Sequence, residues 1–177
     1  MQSTWLSILA SYLHLIAVAT YLGGSIAMEF VLGPAQKSIP PAQAQVIGQK
    51  SADKFLLLVW GSLILFPISG MLLFFAIGDQ TTVSGLKWFT TNYGRTLFAM
   101  MFLWVVLVVN GLIITFVLRP ILNSKAKSKG GVKNVNSNLE RMQKAAKNVS
   151  LITRIDLGVA LFIVLLGVSM VYGGGIL

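Results

Sequence analysis

The chain of 177 residues contains no cysteine, a single histidine and only five acidic residues. Without cysteine there is no disulfide framework, no thiolate metal site and no thiol nucleophile. With His14 as the sole histidine, one chain cannot build a bis-histidine haem or a two-histidine zinc site, and most hydrolytic triads are excluded. Charge is scarce too: Asp, Glu, Lys and Arg make up 11% of the residues, against about 25% in an ordinary soluble domain. No phosphate-binding glycine loop, HExxH, GxSxG or close carboxylate pair occurs. The chemistry on offer is thin.

What is abundant is apolar surface. Hydrophobic residues are 55% of the chain and the mean hydropathy is +0.79, more than a soluble fold of this size could bury. The apolar residues fall into four blocks, at about 5–32, 55–77, 93–118 and 155–176, each near the roughly 20 residues a membrane span needs. A soluble enzyme, a nucleic-acid module and a disordered chain are excluded. The expected fold class is all-α: one domain, 1–177, forming an integral-membrane four-helix antiparallel bundle with a long basic cytoplasmic loop between helices 3 and 4. The first block lacks a basic leader and a cleavage site, so it reads as an uncleaved span. Gly33-Pro34 and Pro40-Pro41 are expected to end it. Pro41 to Lys54 reads as a short polar helix, Pro67 should kink the second span, and Arg119-Pro120 should stop the third. The stretch 123–138, rich in Lys, Asn and Gly, reads as mobile. After it, Leu139, Met142, Ala146, Val149 and Ile152 share one helical face leading into the fourth span.

Lys and Arg divide 12 to 2 between the two sides: Lys37, Lys50, Lys54, Arg119 and eight more at 125–154 on one, Lys87 and Arg95 on the other. By the positive-inside rule both termini face outward, and loops 33–54 and 119–154 are cytoplasmic, in the plasma membrane of the cell. The net charge of +9 therefore marks sidedness and attraction to anionic lipid, not a nucleic-acid surface.

The polar residues within the spans carry what function the sequence shows. His14 lies nine residues after Trp5, roughly 13 Å deep at the helical rise, where an ionisable side chain faces the bundle interior. With Ala17, Tyr21, Gly24 and Met28 it forms one stripe of the first helix. It is open to three roles: a neutral histidine bonded to a hydroxyl or carbonyl on a neighbouring helix, a metal or haem ligand, or a proton relay. Met71, Met100 and Met170 fall at about 9 Å below the outer surface, near the level of His14, and an imidazole with thioethers suits Cu(I). Methionine also fills gaps in apolar cores. Arg95 sits at an outer helix end and Asn110 is deep enough to need an interhelical partner. Glu29, Arg119 and Asp156 gather near the inner interface and are expected to pair with one another.

Two segments resemble a known family. Leu13 to Pro34 (LHLIAVATYLGGSIAMEFVLGP), with His14, Tyr21-Leu22-Gly23-Gly24 and Pro34, resembles the first span of the CopD-like copper-resistance membrane domain. Tyr93 to Leu122 (YGRTLFAMMFLWVVLVVNGLIITFVLRPIL) resembles the span of that family that begins Y-G-R and carries a later Asn and an Arg-Pro end. Four-span families of unknown function and, more distantly, the haem-binding protoporphyrinogen oxidase HemJ have a similar first-span histidine. The lysine of the family's third span is Met100 here, and the tryptophan of its glycine turn is Tyr21. The resemblance implies copper binding or transport, with His14, Met71, Met100 and Met170 as ligands. A second reading, drawn from the small polar inventory and the glycine-rich faces, is a non-catalytic accessory subunit of a larger membrane complex, copper-dependent or not, packing against other subunits or a second copy. A third is a b-type haem protein with His14 as axial ligand. The expectation is a protein that is not an enzyme.

Overall fold

The computed structural model describes residues 4–76, 87–123, 132–173 and 175–177 and is all-helical there, with no strand among the described residues. Helix α1 (Thr4–Ile26) passes through a π-helical turn (Ala27–Leu32) into α2 (Gly33–Lys37). Helix α3 (Pro41–Ala76) follows, then the short α4 (Lys87–Thr90) and α5 (Asn92–Leu112). A second π-helical turn (Ile113–Leu118) leads to α6 (Arg119–Asn123), and α7 (Val132–Gly173) completes the chain's helices. Four segments are long and apolar enough to cross a bilayer: Trp5–Lys37, Val46–Ala76, Asn92–Leu122 and Glu140–Tyr172. The protein is a multi-pass membrane protein by these spans.

Neither Gly33-Pro34 nor Arg119-Pro120 ends its helix, contrary to expectation. Each proline directly follows a π-helical turn, where the Gly33 N–H bonds the Met28 carbonyl and the Arg119 N–H bonds that of Ile114, five residues back. A proline in a regular α-helix collides with the carbonyl four residues earlier. The extra residue in a π turn shifts that carbonyl aside, so both helices run on. The first halts at Ser38, whose hydroxyl donates to the Ala35 carbonyl at 2.8 Å. The polar helix expected at Pro41–Lys54 is present, continuous with the second span. The basic stretch before the fourth span is helical from Val132, earlier than its Asn- and Lys-rich composition suggests; positions 124–131 lie outside the described residues.

Helix α1 packs mainly along α3, and α5 along α7, with further contacts of α1 with α7 and of α3 with α5. The buried centre takes one residue from each long helix: Tyr21, Leu63, Leu107 and Ala160. Two indoles brace α3 against α5. Pro67 has no N–H to give the Leu63 carbonyl four residues before it, and Trp104 Nε1 donates to that carbonyl at 3.1 Å. In the other direction, Trp60 Nε1 donates to Thr115 Oγ1 at 3.2 Å. Large side chains such as Leu57, Phe102, Phe116 and Val171 face outward, as a lipid-facing surface requires.

Candidate functional site

The buried stripe of α1 is Ala10, Ala17, Tyr21 and Ser25, with His14 half-buried among them. Its imidazole lies against α3. Phe66 meets the ring edge-on at 5.4 Å between centroids. Gly70 lies beneath it, so close that a Cβ there would sit 3.6 Å from His14 Cε1. Nδ1 is 2.9 Å from Ser69 Oγ, and Ser69 is fully buried.

The serine's other contacts favour one tautomer of the histidine: backbone carbonyls of Leu65 and Phe66 are both within reach of its hydroxyl. Its hydroxyl donates to the Leu65 carbonyl at 2.7 Å, one turn back on α3. With its hydrogen spent there, Oγ accepts from Nδ1–H, and Nε2 keeps its lone pair. This is the arrangement seen around metal-binding histidines, where the ring's other nitrogen is held by a hydrogen bond. In that tautomer Nε2 is the ring atom left with a lone pair to offer.

The methionines divide. Met71 is 62% exposed; next to Gly70 on α3, it is turned about 100° from the face that carries the imidazole. Met100 lies on the other seam, its Cε 3.5 Å from where a Gly167 Cβ would stand. Met170 is half-buried one turn beyond Gly167 on α7. Met100 and Met170 thus share the α5–α7 seam, while His14 holds the α1–α3 seam through Phe66, Ser69 and Gly70. Among the described residues no group of three or more His, Cys, Asp or Glu side chains is placed to hold a metal.

The inner-end charges pair differently from expectation. Glu29 takes Arg154 at 2.6 Å, and Arg119 takes Asp53. Asp156 pairs with neither arginine; its Oδ1 accepts from Asn110 Nδ2 at 2.7 Å. Charge alone could not assign these partners, because Asp53 had read as part of a polar helix outside the span. Arg95 at the outer end donates to Asn92 Oδ1 at 2.7 Å. An open groove of about 750 Å³ runs beside Gly61, with Ala17, Thr20, Trp60 and Leu65 in its walls and the Asp53–Arg119 pair at one end.

Sequence reasoning placed Gly70 among the glycine-rich packing faces but missed Ser69 and the two tryptophan braces. The available signal was a small polar residue and a glycine side by side, just after a proline, in an otherwise apolar span. Such residues in a membrane helix mark a packed interface. Comparison with family models, with curated proteins and with solved structures finds no match.

Proposed function

We propose that the protein is a four-span membrane protein that binds copper through His14 Nε2. The observation that carries this reading is the hydrogen bond between His14 Nδ1 and Ser69, which leaves Nε2 outside that pair within the membrane-spanning part of α1. His14 is the ligand the geometry supports. Met100 and Met170 lie on the α5–α7 seam, apart from His14, and would have to approach it to share an ion; Met71 faces outward. Copper(I) suits such a mixed imidazole and thioether set. The CopD-like features of Leu13–Pro34 and Tyr93–Leu122 point the same way.

The accompanying topology is an antiparallel bundle with both termini outside and the basic segments inside. Contact pairs support the antiparallel order, and the Lys and Arg count the sidedness: along α1 from His14 to Gly24, the contacts on α3 run backward from Ser69 to Phe55. From Met100 to Asn110 on α5, those on α7 run backward from Gly167 to Asp156.

The test is copper content of protein purified under reducing conditions with copper supplied. Wild type retains copper and His14→Ala does not; absence of copper from both removes the reading. A second reading, b-type haem on the same Nε2, gains from the half-buried position of His14 at a seam edge, where a second copy can approach. A Soret band in the purified protein, lost in His14→Ala, selects haem over copper.

A further inference from the structure

A second polar site lies further along the buried stripe of α1, and the copper reading makes no use of it. Asp156 on α7 is 7% exposed and sits just inside the apolar part of the fourth candidate span, at its basic end. Its Oδ1 is held by Asn110 from α5. Tyr21 from α1, 4% exposed, packs in one buried cluster with Leu107 and Ala160, each about one turn from Asn110 and Asp156 on their helices. Three helices therefore converge near one acidic group.

The charged groups around it are already engaged. Arg154, two residues earlier on α7, is turned to Glu29 beside α1. Arg119, on α6 next to α7, is turned to Asp53. On α5, Asn110 is uncharged, and Arg95 lies at the far end of the helix with Asn92. Among the described residues, no cation faces Asp156. An ionised carboxylate in such a place is costly, and a proton on Oδ2 removes that cost while Oδ1 keeps its bond to Asn110. A metal cation is a poor alternative, because Asn110 presents its N–H rather than its carbonyl to the group, whereas hard cations need oxygen ligands. An asparagine at 156 would hold Asn110 equally well. What the carboxyl adds is a place for a proton.

Access is close by. Arg154 is 63% exposed and lies only about 3 Å along the helix axis from Asp156, so the Glu29–Arg154 pair links the buried group to the inner surface. We infer that Asp156 is an intramembrane proton-exchange site, framed by Asn110 and Tyr21 and reached from the inner side beside Glu29 and Arg154. The step is the reversible addition of a proton from water to Oδ2; no other bond changes.

Infrared spectroscopy of the full chain in lipid discs tests this. The inference rests on the membrane reading but not on His14, and incorporation into the discs checks the membrane reading before any spectrum is taken. The chain has three aspartates, Asp53, Asp79 and Asp156, so isotope labelling of the aspartate carboxyl isolates few bands. The expected result is a protonated-acid carbonyl band that shifts in heavy water, disappears reversibly as pH is raised and is absent from Asp156→Asn. If Asp156→Asn does not fold, survival of the band in Asp53→Asn and Asp79→Asn assigns it by elimination. Asn110→Leu, which removes the hydrogen bond, should move the band to higher frequency. No such band between about pH 5 and about pH 9, a range wide enough for a strongly perturbed carboxyl, overturns the inference. So does a band that neither titrates nor exchanges.

Discussion

Ser69 sets what His14 can do, so it is the sharper residue to change. Ser69→Ala leaves the imidazole on Gly70 but removes the acceptor of its Nδ1–H. Loss of such a partner typically lowers metal affinity about 10- to 100-fold. Chelator competition on the purified protein should show a drop of that order, with Ser69→Thr largely restoring affinity; a Ser69→Ala protein that binds like wild type means the hydrogen bond does not present the ligand. Two glycines give a packing contrast. A Cβ on Gly24 would stand 2.8 Å from Phe55 Cε2, while one on Gly61 meets nothing within 4 Å. Gly24→Ala should cost about 1–3 kcal/mol through overpacking. Gly61→Ala should be neutral or gain up to about 1 kcal/mol of helix propensity. Equal losses in unfolding assays would refute this packing. The depth of His14 was legible because helical rise converts sequence distance into height. Its partner was not, because rotation about a helix axis leaves no mark in hydropathy. The same gap put Met71 in the candidate ligand set: it lies at a suitable height, but on the wrong face.

At the scale of elements, prolines behave according to the turns before them. Pro34 and Pro120 each read as a terminator, and each is carried through by a preceding π-helical turn. Nothing in AMEFVL or IITFVL announces that turn, since a π bulge differs from an α turn by one hydrogen-bond register rather than by composition. Pro67 is the reverse case: it was expected inside a span, and its consequence appears on another helix. The Leu63 carbonyl that it leaves free is taken up by Trp104. Trp104→Phe keeps most of the ring but leaves that carbonyl buried without its donor, a loss of about 1–3 kcal/mol. Pro67→Ala restores a backbone N–H to the same carbonyl. The double variant should therefore lose less stability than the sum of the single ones, and a double-mutant cycle by denaturant titration in detergent measures the coupling. Strict additivity would separate Trp104 from the proline.

The molecule as a whole is longer on one side than a bilayer requires. Helix α7 has 42 residues, about 63 Å at the helical rise, roughly twice the thickness of the hydrocarbon core. Helix α3 has 36. The excess lies at the basic ends, at 41–54 of α3 and 132–154 of α7, where the sequence predicts a polar helix at 41–54, a helical face from Leu139 and a mobile stretch only at 123–138. Composition separated these polar segments from the apolar blocks. It also pointed to helix at 41–54 and from Leu139, but not to a helix beginning already at Val132, because an Asn- and Lys-rich helix carries the same charges as a loop. The Lys and Arg count predicts a shared side for them, and the absence of cysteine makes that side directly measurable. Single cysteines at three exposed positions suffice: Ser38 between α2 and α3, Thr90 at the end of α4, and Gln143 on the extension of α7. With a membrane-impermeant thiol reagent, Thr90→Cys should be labelled on intact cells. Ser38→Cys and Gln143→Cys should react only after the membrane is opened. The opposite pattern would invert the topology despite the charge bias, and labelling of all three on intact cells would leave no side of the membrane to which the basic helices are confined.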